Sequence, residues 1–108
     1  MDEPAALAAL AALAQGVRLR IFRALVGAGP QGMTPGDLGA VLDVGASTLS
    51  FHLKELTHAG LVSQERDGRR LIYRPRLQHM NDLVDYLVAH CCDGAGCEAV
   101  PAGDCRSC

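Results

Sequence analysis

Between Thr34 and Pro75 the turn signals crowd so closely that only short elements fit between them. Thr34-Pro35-Gly36-Asp37 reads as a helix start. The threonine hydroxyl can accept from the free amides of a first turn, proline suits the first helical position, and the aspartate lies at the positive end of the dipole. Asp43-Val44-Gly45 turns the chain, Ala59-Gly60 stops a helix, and Asp67-Gly68 marks a tight hairpin that needs positive φ. Pro75 closes the hairpin's second strand. These stops predict a short helix with Leu38, Val41 and Leu42 on its buried side, and a second from Ala46 to His58 with Leu49, Leu53 and Leu56 inward. Two strands follow, Leu61 to Arg66 and Arg69 to Arg74. Two helices joined by a tight turn containing glycine make the helix-turn-helix pattern.

The flanks supply three more helices. One runs from about Glu3 to Gln15 with Leu7, Leu10, Leu13 and Ala14 at helical spacing, and Gly16 is expected to end it. The next, Val17 to Val26, places Val17, Ile21 and Leu25 on one stripe beside Phe22, and leaves Arg18, Arg20 and Arg23 for water. Glycine and proline content makes 27–32 a loop. The last helix, Leu77 to His90, repeats Leu77, Met80, Leu83 or Val84, and Leu87 with Val88. The order α-α-α-α-β-β-α predicts a mainly α (α+β) fold, a winged helix-turn-helix over 1–90, followed by a cysteine-rich tail over 91–108. A chain of 108 residues has no room for a second core. The apolar run Ala5 to Ala14 is too short to span a bilayer and follows Asp2 and Glu3, not the basic front of a signal peptide. A cytoplasmic protein with no membrane partner is the expectation.

The formal charge of -2 does not announce a nucleic-acid binder, but its distribution does. From Gly45 to Arg76 six cationic side chains (Lys54, Arg66, Arg69, Arg70, Arg74, Arg76) stand against three carboxylates (Glu55, Glu65, Asp67). The helix that begins at Ala46 is expected to turn Ala46, Ser47, Thr48, Ser50, Phe51, His52 and Lys54 outward. Hydroxyls and an imidazole can meet base edges, and the helix start can meet a phosphate with its amides. Arg66, Arg69 and Arg70 at the hairpin tip are expected to grip the backbone of double-stranded operator DNA or to enter its minor groove.

Within this frame Val17-Arg18-Leu19-Arg20-Ile21, the run Ser47-Thr48-Leu49-Ser50-Phe51-His52-Leu53-Lys54-Glu55-Leu56, and Ala59-Gly60-Leu61-Val62 resemble the ArsR/SmtB group of arsenic- and metal-responsive repressors, over nearly all of Leu10 to His90. The resemblance implies a homodimer joined through the first and last helices that occupies an inverted-repeat operator until an inducer binds. It also implies half-sites about 34 to 36 Å apart.

All five cysteines, Cys91, Cys92, Cys97, Cys105 and Cys108, crowd into the tail. An odd number in one tail is a poor disulfide framework, so reduced thiols and metal or redox chemistry are expected. One arsenic site of the family, a cysteine pair before the recognition helix, has no counterpart in Met33-Thr34-Pro35-Gly36-Asp37-Leu38. Thiolates select soft ions, and As(III) or Sb(III) takes three sulfurs in a pyramid. Cys91, Cys92 and Cys97, joined across Asp93-Gly94-Ala95-Gly96, resemble the site of arsenic-responsive members with a Cys-Cys pair just past the last helix. Cys105 and Cys108 are reserve ligands. The helix dipole disfavours thiolate at Cys91 and Cys92, so binding there would draw its strength from chelation.

Other readings share parts of the pattern. Four of the cysteines could hold zinc, cadmium or lead, and His79, Asp82, Asp85 and His90 approximate a zinc site paired across a dimer. Adjacent thiols could also sense redox state or persulfide. A metallochaperone would share the tail and have no use for the helix-turn-helix. An enzyme of thiol chemistry finds no dinucleotide fingerprint, because Gly94-Ala95-Gly96 neither follows a strand nor opens a helix. A non-enzymatic, arsenic-responsive repressor is therefore the reading carried forward.

Overall fold

A computed structural model describes residues 1–89. They form α1 (Glu3–Leu13), α2 (Gly16–Ala28), α3 (Pro35–Leu42), α4 (Ala46–His58), β1 (Val62–Asp67), β2 (Arg70–Pro75) and α5 (Leu77–Leu87), the predicted winged helix-turn-helix order.

Local chemistry sets most boundaries. Asp2 caps α1 by accepting from the Ala5 amide. Gly16 does not end α1 as expected but opens α2, because Gln15 caps that helix by accepting from the Arg18 amide at 2.9 Å. The break is at Ala14–Gln15, where the two helix axes meet at 97°, and no single helix among the described residues is long and apolar enough to cross a membrane. Thr34 and Asp37 form the reciprocal capping box at α3. Asp43, in the left-handed region at φ 55, ends that helix. At the end of α4 Gly60, with φ 79, lets the Leu61 amide reach the Leu56 carbonyl and its own amide reach Thr57. This is the paired closure that glycine makes possible, and the buried side chains of Leu56 and Leu61 accompany it.

The strands lie one residue later than expected, and the hairpin turn is Gly68–Arg69 between the paired Asp67 and Arg70. Gly68 has φ 65 and Arg69 does not share the positive sign, the arrangement of a primed turn with glycine first. A single bridge, Met33 to Tyr73, adds a third rung from the loop before α3. Helix α5 ends at Leu87, short of the expected His90, a terminal fraying of ordinary extent. His90 and the tail lie outside the described residues.

The core is built from Ile21 and Leu25 of α2, Leu38 of α3, Leu49, Leu53 and Leu56 of α4, and Leu61 and Val62 leading into the wing. Each contributes on the order of 2 kcal/mol by leaving water. Helix α1 packs on this core through Ala6, Ala9 and Ala12, one step of three apart, with Leu13 partly buried against it at the helix end. Small side chains let α1 lie close to the body, and Leu7 and Leu10 are left exposed. On α5 Leu83 is buried, while Leu77, Val84 and Leu87 are exposed. Helices α1 and α5 touch each other, so the exposed leucines belong to neighbouring elements.

Candidate nucleic-acid interface

Helix α4 has Gly45 at its N-cap and no side chain hydrogen-bonded to its first amides. The opening amides at Ala46, Ser47 and Thr48 therefore lack a capping oxygen, and they stand at the positive end of the helix. A phosphate placed there would supply the missing acceptor. Ala46, Ser47, Thr48, Ser50, Phe51 and Lys54 are all exposed, as the sequence predicts. Phe51 is 55% exposed, an aromatic ring held in water on the face that also carries the hydroxyls.

His52 departs from its predicted place. It is only 8% exposed and lies on the inner stripe with Leu49, Leu53 and Leu56. The reason is geometric: position 52 stands three residues after Leu49 and four before Leu56, so helical periodicity turns it inward whatever its polarity. Its ring meets that of Phe51 edge-on, with centroids 5.2 Å apart. Its Nδ1 lies 3.4 Å from a terminal nitrogen of Arg18. Burial lowers the imidazole pKa below its ordinary value, and the Arg18 guanidinium lowers it further, against an opposing pull from Glu55. His52 is thus held neutral at neutral pH and accepts from Arg18. Arg18, expected to face water, is itself half-buried.

The wing arginines do not form one patch at the tip. The register places Arg66 opposite Leu71 and Gln64 opposite Tyr73. Gln64, Leu71 and Tyr73 line a cleft of about 340 Å³ against Ser50, Leu53 and Lys54 of α4, so Arg66 shares the face that looks toward α4. Arg70 is on the opposite face with Glu65, Ile72 and Arg74, beside a trough that also takes in Met33, Asp37 and Val41. Arg69 stands in the turn between them. On the Arg70 face Arg74 is committed to structure, bonded to Glu65 at 2.6 Å and to the Pro30 carbonyl at 2.8 Å. Arg66, Arg69 and Arg70 are exposed, so a groove rim can be gripped from both sides of the wing. The sequence reading missed Gln64, whose place beside α4 follows from strand register alone.

Cys91, Cys92 and Cys97, with Cys105 and Cys108, lie outside the described residues, as does His90. Among the described residues no group of three His, Cys, Asp or Glu side chains could hold a metal ion. His79, Asp82 and Asp85 are therefore not gathered within one protomer. The Asp82 carboxylate accepts from Gln78 at 2.9 Å. The His79 Nε2 is buried beside Gly60 with no partner among the described residues.

Comparison with known proteins agrees with this geometry. A helix-turn-helix domain model matches residues 13–65, from the end of α1 into the wing. The HTH-type transcriptional regulator YgaV of Escherichia coli (strain K12) is 30% identical over 82 residues, which cover 76% of this chain and 81% of YgaV. An ArsR-like transcriptional regulator from Rhodococcus sp. RHA1 shares the fold with a TM-score of 0.74 at 24% identity, over 83% of this chain and 82% of that one. The homodimeric winged helix-turn-helix DNA-binding domain Mb0332 of Mycobacterium bovis, a possible ArsR-family transcriptional regulator, superposes with a TM-score of 0.62 at 26% identity, covering 81% of this chain and 85% of its own. With its capped helix-turn-helix, its two-stranded wing and this set of relatives, the chain belongs to the ArsR family of winged helix-turn-helix transcriptional regulators.

Proposed function

We propose that this regulator is an As(III)-responsive repressor: its dimer holds an inverted-repeat operator and releases it when As(III) or Sb(III) binds Cys91, Cys92 and Cys97, with Cys105 and Cys108 in reserve. The carrying observation is the position of the thiols. All five follow α5 directly, and none occurs in residues 1–89. The thiols are thus covalently tethered behind α5, the element that, with α1, carries the exposed leucines. Homodimerisation of Mb0332 supports self-association of this chain.

In this reading Ser47, Thr48, Ser50 and Phe51 meet base edges, with the Phe51 ring suited to a thymine methyl group. Lys54, Arg66, Arg69, Arg70 and the opening amides of α4, beginning at Ala46, meet phosphates. His52 supports the helix from beneath. Ion capture shifts the spacing of the two recognition helices and needs only about 1 to 3 kcal/mol of coupling to do so. The test is a titration of operator DNA with and without arsenite. Operator affinity is expected to fall at saturating arsenite and to be insensitive to it in a Cys91→Ser, Cys92→Ser double variant. Unchanged affinity of the natural chain, or full induction of the double variant, would overturn the reading. X-ray absorption on ion-loaded protein counts the sulfurs: three support As(III), and a tetrahedral set of four on zinc, cadmium or lead supports the metal alternative.

A further inference from the structure

The side chain of Arg18 joins three helices. Its Nε donates to the Ala12 carbonyl at 2.7 Å, and a terminal nitrogen lies 3.4 Å from His52 Nδ1. Ala12 is in the last turn of α1, where carbonyls have no partner within the helix, and α1 has no basic residue of its own in that turn. Arg18, in the first turn of α2, thus supplies the cation that the negative end of α1 lacks, and with the same guanidinium it reaches the middle of α4. The guanidinium spreads its donors over three nitrogens in a fixed plane and so reaches acceptors on two different helices, whereas an ammonium has all three donors on one atom. The pair sits beside a small cleft between α1 and α4, lined by Ala8, Ala11, Glu55 and His58.

We propose that Arg18 is the positioning residue of the recognition helix: acting through His52, it sets the attitude of α4 relative to α1, and it does so only while His52 Nδ1 can accept a hydrogen bond. A proton on Nδ1 sets donor against donor and cation against cation. The charged or titratable groups around the ring are Arg18 from α2 and Glu55 from its own helix, with His58 at the same cleft; α1 contributes the Ala12 carbonyl and alanine side chains. Glu55 offsets part of the repulsion, while the burial that already holds the ring neutral acts with Arg18. The inference rests on the chain's reading of duplex DNA but not on its inducer. It makes sequence-specific binding sensitive to mild acid, whereas contacts to phosphate alone are not weakened by added positive charge.

The experiment measures binding to a duplex that the reduced, full-length protein has enriched from a random-sequence pool, with a scrambled duplex as control. For the natural chain, affinity for the enriched duplex is expected to fall a few-fold between pH 7.5 and 5.5, below the roughly tenfold ceiling that one imidazole titrating at its ordinary value would allow. Affinity for the scrambled duplex should not fall. His52→Asn, which keeps an acceptor near the Nδ1 position and cannot titrate, should bind with a flat profile. Arg18→Lys should bind more weakly at pH 7.5 and lose most of the pH dependence while remaining folded by circular dichroism. His58→Gln should keep the natural profile. A natural chain that binds specifically without pH dependence overturns the inference and leaves the DNA-reading function standing, as does His52→Asn with an unaltered profile. Failure of the natural chain to enrich any duplex overturns both.

Discussion

A proton on His52 would be bound less tightly in the folded chain than in the unfolded one, because burial and the neighbouring Arg18 both oppose it. The unfolded state then takes up more protons as pH falls below the ordinary imidazole value of about 6.5, and stability declines across the window between that value and the lowered one of the fold. The expected outcome is a lower thermal unfolding midpoint at pH 5.5 than at pH 7.5. His52→Asn should lose that part of the decline, and a variant whose midpoint changes with pH as the natural chain's does would show that other groups carry it. The same residue marks the limit of reading side chains one at a time. Polarity suggests an outward ligand to DNA, yet helical phase places His52 among Leu49, Leu53 and Leu56. Ser47, Thr48, Ser50 and Lys54 were legible because phase and polarity agree there, and Phe51 by phase alone. Arg18 was not, since its two acceptors come from α1 and α4, six and thirty-four positions away.

The wing depends on an element that local pattern does not reveal. Met33 exchanges backbone hydrogen bonds with Tyr73, at 3.0 and 2.8 Å, and Gly32 makes room for that approach. A Cβ on Gly32 would come within 2.6 Å of the Tyr73 carbonyl and 2.7 Å of the Ile72 side chain, at a backbone φ of 68. Gly32→Ala is therefore expected to cost roughly 1–3 kcal/mol for its backbone conformation, with the collision in addition. Chemical denaturation should show the loss, whereas Gly68→Ala, where the φ is also positive but nothing lies near, should cost less. A smaller effect at Gly32 than at Gly68 would mean that the bridge to β2 is not part of the stable fold. The capping box at Thr34, the stop at Gly60 and the hairpin at Gly68 are sequence-local devices and were legible as such. The one-residue shift of the strands was not, because Asp67-Gly68 and Gly68-Arg69 both satisfy a tight turn and cross-strand packing chooses between them.

Across the whole molecule, the exposed leucines of α1 and α5 face away from a core already filled by alanines and by Leu83. Leu10 is 39% exposed and Leu87 54%, apolar surface that a second copy would cover. Leu10→Lys is expected to shift the reduced protein from dimer to monomer in sedimentation at micromolar concentration, with its helix content kept. A variant that remains dimeric would place the interface elsewhere. Specific binding to an inverted repeat should fall with dimerisation, while binding to a single half-site should not.

The order of elements, the helix-turn-helix, the basic segment and the gathering of all thiols behind the last helix were decided by sequence alone, because turn chemistry, period and composition act over a few neighbouring residues. Tertiary structure decided which face each residue takes: His52 beneath the recognition helix, Arg66 and Arg70 on opposite sides of the wing, Ala6, Ala9 and Ala12 inward on α1 and Leu7 and Leu10 outward. Those choices depend on volumes and acceptors offered by distant segments, and only a packed chain brings them together.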